Sequence, residues 1–146
     1  MPPIRPATPG DLCRIAEMLV FNYRLHFYPI FQDDGFYFGD LQVQPLAEEL
    51  QSAVDHLFVY DDGVVKGFVQ LEGREVKRLF VEPALQGRSI GAALLEYAVN
   101  AHQANTLWAL EKNTRAIRFY TRHGFRLTRD RKPEEDTAEY LVRLER

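Results

Sequence analysis

Between Val81 and Ala92 the chain reads Val-Glu-Pro-Ala-Leu-Gln-Gly-Arg-Ser-Ile-Gly-Ala. An apolar strand stops at a proline, a short loop of small residues follows, and an amphipathic helix begins. The free N–H groups at a helix start, with Arg88 beside them, make an anion site suited to a pyrophosphate. Gly87 and Gly91 lack a Cβ and let backbone approach a ligand closely. A second cluster, Asn113-Thr114-Arg115-Ala116-Ile117-Arg118-Phe119-Tyr120-Thr121-Arg122-His123-Gly124-Phe125, lies downstream. A Gly-x-x-x-Gly loop alone is a weak signal shared by many turns. Its strand before, helix after and the second cluster downstream make it specific.

The two segments together resemble the GNAT superfamily of acyl-CoA-dependent N-acyltransferases. That family's phosphate motif is Gln/Arg-x-x-Gly-x-Gly/Ala, and Gln86 to Gly91 fits it with one departure, Ser89 in place of the central glycine. Its second motif, Asn-x-x-Ala-x-x-Phe-Tyr-x-x-x-Gly-Phe, is matched throughout from Asn113 to Phe125. The resemblance implies an α+β fold: a mostly antiparallel mixed sheet of six or seven strands, flanked by about four helices and splayed at the cofactor site.

Bulk properties agree with this. The 146 residues suit one domain, with 46% hydrophobic and 27% charged residues. A net charge of −3 gives no general attraction to nucleic acid or to an anionic membrane. Cys13 is the only cysteine, so no internal disulfide forms and the reducing cytoplasm is the expected compartment. No apolar run approaches the roughly 20 residues of a membrane span, and no signal-peptide pattern opens the chain. No His, Cys and carboxylate cluster has metal-ligand spacing, so no metal is expected.

Patterning predicts a short strand at Ile4 and Arg5, then a helix capped by Thr8 with Pro9 at its first position. That helix buries Leu12, Ile15, Ala16, Leu19, Val20, Tyr23 and Phe27. A smaller one spans Pro45 to Val54. Leu57 to Tyr60 and Val64 to Leu71 form a hairpin across Asp61-Asp62-Gly63, and Val76 to Val81 is the next strand. The helix after the loop buries Ile90, Leu94, Leu95 and Ala98. A strand Thr106 to Leu110, a helix Asn113 to His123 and a strand Phe125 to Thr128 follow. Arg129 to Asp136 is charged enough to read as a solvated loop before a last strand, Thr137 to Leu144. A dinucleotide-binding fold needs repeated strand-helix units with the glycine turn after the first strand; here the loop follows an antiparallel hairpin.

The resemblance implies acetyl-CoA as co-substrate and an amine acceptor that attacks it directly in a ternary complex. It implies that Gln86, Gly87, Arg88, Ser89, Ile90, Gly91 and Ala92 hold the pyrophosphate. The pantetheine arm would run along Leu79, Phe80 and Val81, with Asn113 and Ala116 also touching the cofactor. Pro83, lacking an N–H, suits the point where strands part. Tyr120 is the expected catalytic residue: an amine attacking a thioester expels a thiolate that needs a proton, and a phenol supplies one. Asn113 also reads as a helix cap. Glu111, past the strand Thr106 to Leu110, is the first candidate for the base, followed by Glu75 and His26, unless water serves.

Residues 21 to 38 hold 8 of the chain's 18 aromatics, more than one helix face can bury. The excess reads as an apolar wall beside the acyl site or as a homodimer surface, with Tyr28, Phe31 and Phe36 as acceptor-side candidates. Asp33, Asp34 and Asp40 add negative charge that attracts a cationic amine. Two classes stay open: an N-acetyltransferase acting on a small amine, amino acid or peptide, and a non-catalytic acyl-CoA-binding sensor kept in view by Ser89.

Overall fold

Seven strands build one sheet in the order β1-β2-β3-β4-β5-β7-β6 in the computed structural model, which describes residues 2–146. They are β1 (Ile4–Pro6), β2 (Leu57–Asp61), β3 (Val65–Glu72), β4 (Glu75–Val81), β5 (Thr106–Leu110), β6 (Arg126–Pro133) and β7 (Tyr140–Glu145). Five α-helices accompany them: α1 (Leu12–Asn22), α2 (Tyr28–Phe31), α3 (Val43–Leu50), α4 (Ile90–His102) and α5 (Thr114–Arg122). Every neighbouring pair is antiparallel except β4 and β5. This is the mixed, mostly antiparallel architecture expected of the sequence. Among the described residues no helix is long and apolar enough to cross a membrane.

Strand alternation sorts the core into two layers. Leu57, Val59 and Phe68 point to one face, where they meet Leu12, Ile15, Leu19, Leu46 and Leu50 of α1 and α3. Phe58, Val69, Leu71 and Val76 point to the other, against Ile90, Leu94, Leu95 and Ala98 of α4 and Tyr120 of α5. The helix faces expected from 3.6-residue spacing are the buried ones from Leu12 to Val20 and from Ile90 to Ala98, while Tyr23 and Phe27 are half-buried past the end of α1.

The sheet comes apart in the middle. β4 pairs with β5 only through Glu75 with Thr106 and Val76 with Leu107. Beyond Val76 the strands diverge, while β4 stays paired with β3 as far as Gly67 with Val81. The aromatic segment also breaks into pieces. α1 runs into a π-helical turn (Tyr23–Phe27), then α2, then a second π-helical turn (Gly35–Asp40). These wider turns swing Tyr23 and Phe27 into a stack at 5.0 Å, and both rings meet Phe80 of β4 edge-on. π-turns of this kind often accompany functional sites.

One expectation fails. Arg129 to Asp136 is not wholly a loop, because β6 continues through Arg131, Lys132 and Pro133, which pair with Val142, Leu141 and Tyr140. β6 is the last strand of the sheet, so its charged side chains remain in water while its backbone pairs on one side. The register slips between Leu127 and Arg131, and charges settle on neighbours: Arg143 on Asp130 at 2.7 Å, Lys132 over the Trp108 ring at 4.2 Å.

The approach of α4 to the sheet depends on Gly67. A Cβ there would lie 3.0 Å from Leu94 Cδ1, 3.1 Å from the Phe80 carbonyl oxygen and 3.2 Å from Ile90 Cγ2. The carbonyl belongs to backbone and cannot turn aside. Gly67→Ala is therefore expected to cost about 1–3 kcal/mol by overpacking, visible as a lower urea midpoint with an unchanged slope.

Candidate active site

β4 ends at Val81, a 3₁₀ turn covers Pro83–Leu85, and the loop from Gln86 leads into α4. Gly87 has φ 84° and Ser89 has φ 66°, so both lie in the left-handed region. This gives the physical reason for a glycine at position 89: the conformation disfavours any Cβ, by roughly 1–2 kcal/mol. The Ser89 side chain makes no capping bond. The α4 ladder starts with Ala93 N–H donating to the Ser89 carbonyl at 3.1 Å. The N–H groups of Ile90, Gly91 and Ala92 precede that bond and have no acceptor within the helix.

A buried amide holds this loop against the end of β4. Asn22, 1% exposed at the end of α1, donates from Nδ2 to the Met18 carbonyl at 2.8 Å and the Val81 carbonyl at 2.9 Å. Its Oδ1 accepts from Gln86 Nε2 at 3.0 Å. Gln86 Oε1 in turn accepts from Arg115 of α5, whose other terminal nitrogen donates to His26 Nε2 at 3.2 Å. Burial and the Arg115 charge both lower the pKa of His26, so its ring is neutral and accepts this bond at neutral pH. One network thus ties α1, the loop and α5 together.

Asn113 caps α5, its Oδ1 accepting from Ala116 N–H at 3.3 Å. At the other end Gly124 takes φ 90° and the chain turns back, so that Phe125 N–H donates to the Tyr120 carbonyl at 3.1 Å. The turn brings the Phe125 ring edge-on to Tyr120 at 5.9 Å, with Phe119 on the other flank at 5.2 Å. Tyr120 is 9% exposed, and burial raises its phenol above its ordinary value near 10. Among the described residues its hydroxyl has no hydrogen-bond partner, and no side-chain polar atom sealed from solvent lacks one, so this oxygen faces open space.

That space consists of two cavities that meet at the parting of β4 and β5. One, of about 540 Å³, lies between the loop, α4 and α5, and includes Gln86, Gly87, Ser89, Gly91, Arg115 and Arg122 in its lining. The other, of about 590 Å³, lies between the aromatic segment, β4, β5 and the β6–β7 connection. Leu79, Phe80, Asn113, Ala116 and Tyr120 line both. A polyanion with a long arm fits the first cavity, which offers helix N–H groups, two arginines and an apolar floor. The second joins apolar rings to charged groups: Asp33, Glu134, Glu135 and Asp136 against Lys77 and Arg78. Tyr37 on its wall is pushed up to about 12, mostly by burial, with Tyr23, Asp33 and Glu134 adding to the shift.

The sequence-derived residues divide accordingly. Leu79, Phe80, Val81, Gln86, Gly87, Ser89, Ile90, Gly91, Ala92, Asn113, Ala116 and Tyr120 gather around the first cavity, and Phe31 and Phe36 line the second. Arg88 does not line the first cavity; it is exposed, and Arg115 and Arg122 supply the positive charge instead. Tyr28 lines neither cavity. Its hydroxyl donates to Asp34 at 2.5 Å and its ring packs on Tyr37 and Phe38. Glu111 is corrected too: it is exposed, lines neither cavity, and accepts two bonds from Arg131, at 3.0 and 3.1 Å. That pairing holds its pKa down, the opposite of what a base needs. Glu75 sits where β4 and β5 still pair, away from both cavities. Asn22, Arg78, Trp108 and the acids of the β6–β7 connection escaped sequence reasoning, because none belongs to a motif.

Replacing Gly91 tests the loop. A Cβ there meets only ordinary contacts, with Phe119 at 3.5 Å and Val81 at 3.6 Å, so Gly91→Ala is expected to fold normally. Gly91→Glu adds a carboxylate to an anion site and is expected to weaken CoA binding more than about tenfold with little change in melting temperature. Ser89→Gly relieves the left-handed strain and is expected to keep CoA affinity within about threefold, measured by calorimetry. A tenfold loss there, about 1.4 kcal/mol, would make the hydroxyl a required ligand.

Residues 53–127 match the Acetyltransferase (GNAT) domain. The chain is 36% identical over 70 residues to the peptidyl-lysine N-acetyltransferase YjaB of Salmonella typhimurium, 48% of each protein. It is 36% identical over 85 residues to the peptidyl-lysine N-acetyltransferase YiaC of Escherichia coli, 57% of this chain and 58% of that one. The chain thus spans about half the length of the curated relatives it matches. Among solved structures, apo YjaB from Escherichia coli superposes with a TM-score of 0.75 at 20% identity, over 97% of this chain and 95% of that one. The PaiA N-acetyltransferase of Thermoplasma acidophilum, solved with coenzyme A, gives 0.77 at 17% identity and 98% coverage of both chains. These two likenesses bear on the fold.

Proposed function

This chain belongs to the GNAT acetyltransferase family, and on that premise we propose that it moves an acetyl group from acetyl-CoA to a primary amine within a ternary complex. The observation that carries the reading is Tyr120, a buried phenol without a hydrogen-bond partner among the described residues, standing where the two cavities meet. The first cavity suits acetyl-CoA: the N–H groups that open α4 with Arg115 and Arg122 suit its phosphates, and Leu79, Val81 and Phe119 suit its arm. The thioester supplies an activated acyl carbon and a thiol leaving group.

The residues divide the work in two. The Asn22–Gln86–Arg115 network fixes the loop, so the cofactor end is held before the acceptor arrives. On the other side, Asp33, Glu134, Glu135 and Asp136 draw a cationic amine toward the aromatic wall. The relatives' names speak of peptidyl-lysine, and the acidic lining supports a lysine side chain as the acceptor here. The amine gives up its extra proton to water in the open cavity, since Glu111 stands outside it. Its nitrogen then bonds to the acyl carbon while the carbon–sulfur bond breaks. The departing sulfur takes the proton of Tyr120, and the phenolate recovers one from water, to which the new amide nitrogen has lost its own.

A binding module without activity has no need of a free phenol at this point, so the sensor reading is set aside. Tyr120→Phe removes one oxygen and keeps the ring in its packing. General-acid help is typically worth about 10²–10⁴ in rate, so kcat is expected to fall at least about a hundredfold at a similar KM for acetyl-CoA, the pattern of an interaction made in the transition state. With its pKa raised, Tyr120 stays protonated across the working range. The wild-type rate is therefore expected to climb with pH as the acceptor amine is deprotonated, with no descending limb below about pH 10. Full turnover in Tyr120→Phe, followed by thiol release, would remove the tyrosine from the mechanism.

A further inference from the structure

Four arginines of the described structure rest on carboxylates. Arg5 lies on Asp11 and Asp61, Arg14 on Glu17 and Glu82, Arg131 on Glu111, and Arg143 on Asp130 and Glu145. Arg78 differs. It is half-buried on β4, lines the acceptor cavity, and has no carboxylate partner among the described residues. Its Nε–H donates to the Tyr23 hydroxyl oxygen at 3.1 Å and one terminal nitrogen donates to Gln70 Oε1 at 3.1 Å. Both acceptors are neutral.

The two bonds orient the guanidinium without neutralising it. Gln70 is the cross-strand partner of Arg78 on β3, and Tyr23 reaches in from the π-helical turn after α1, so the fork is gripped from two elements. A guanidinium has five N–H donors, and the second terminal nitrogen keeps both of its own. Taking such a charge partly out of water with only neutral partners is unfavourable, and a glutamine or histidine could bridge Tyr23 and Gln70 without that cost. Lys77, the other cation of the cavity, has already settled on Glu72 at 3.3 Å. Arg78 is thus a fixed positive charge with free, coplanar donors in a cavity whose remaining charge is carried by Asp33, Glu134, Glu135 and Asp136. Such a cavity has a pole for an ammonium and a pole for an anion. An acceptor with only an ammonium would leave Arg78 unpaired and be repelled by it; one bearing a carboxylate as well would satisfy both. A planar fork favours a carboxylate over other anions because the two can bond in parallel.

We propose that Arg78 binds a carboxylate of the acceptor, so that the amine acetylated by this chain carries a carboxylate, either its own α-carboxylate or that of an acidic residue beside a lysine in a peptide. The assignment rests on the acetyl-transfer reading above, and deepens it to a substrate class.

Two matched acceptor pairs test it: Nα-acetyl-lysine against its carboxamide, and a blocked peptide with aspartate next to the lysine against the same peptide with asparagine. Each is titrated by calorimetry into protein saturated with CoA, and each is assayed with acetyl-CoA. In at least one pair the carboxylate member is expected to bind and react roughly ten- to a hundredfold better, mainly through KM. The discriminating pair identifies the source of the carboxylate. Arg78→Gln is expected to bring both members within about twofold of each other, and Arg78→Lys, which keeps the charge but not the fork, to restore only part of the preference. Equal binding of both members in both pairs by the wild type would overturn the proposal. So would an Arg78→Gln protein that weakens both members equally while melting earlier, which is the mark of a structural role. Arg78-dependent preference in binding with no turnover of any acceptor would leave the carboxylate site standing and remove the transfer reading instead.

Discussion

An unpaired strand edge inside a fold is unfavourable unless something else takes up its N–H and C=O groups. β4 keeps β3 along one edge but shares only two residue pairs with β5 before the two diverge. The rest of the site follows from that parting. It opens the sheet between its two layers, so that a cavity on the α4–α5 side and a cavity on the aromatic side meet at Leu79, Phe80 and Tyr120. Had β5 paired with β4 as far as Val81, the layers would be sealed from one another. The split is held open at both ends. Pairing at Val76–Leu107 fixes one end, and Asn22 bonded to the Val81 carbonyl fixes the other.

The sequence was legible where backbone chemistry and periodicity act locally. The strand Thr106–Leu110, the buried face of α4 and the loop before it follow from alternation, 3.6-residue spacing and glycine placement, and each stands where expected. Arg129–Pro133 did not read as a strand, since edge position is a tertiary property that lets a charged segment pair on one side only. Glu111 looked like a base because it follows a strand near the split. Nothing local announces that Arg131, 20 residues later, takes its carboxylate. Asn22 was hidden for the opposite reason. It is the lone amide of α1, and its partners Val81 and Gln86 lie 59 and 64 residues away.

Ser89 shows how a motif can be broken in letter and kept in geometry. The loop still takes the left-handed conformation that a glycine would adopt freely, with φ 66°. The strain of a Cβ there is balanced by neighbours that dictate the path, Gln86 being bonded to Asn22 and Arg115 and the helix ladder starting at the Ser89 carbonyl. A side chain that makes no capping bond of its own therefore sits in a conformation imposed from both sides. The departure bears on how much strain the loop holds more than on whether the loop forms.

Charge is what distinguishes the two halves of the site. The net charge of −3 is modest, yet its distribution is uneven where the cavities meet. Arg115 and Arg122 line the α4–α5 cavity, while Asp33, Glu134, Glu135 and Asp136 outnumber Lys77 and Arg78 in the other. In the proposed reaction the cationic mouth suits a polyanion and the carboxylate-rich one suits an ammonium. Between them the lining is mostly apolar, and the Tyr120 phenol meets neither field through a bonded partner, so burial alone raises its pKa. That neutrality suits the proposed transfer. A phenol pinned to a carboxylate or an arginine would already have committed its proton or its lone pair, whereas an unpartnered one can donate only when negative charge appears on the departing sulfur. The apolar packing of Phe119 and Phe125 around Tyr120 thus does more than fill the core: in the proposed transfer it keeps this phenol's proton uncommitted until the sulfur departs.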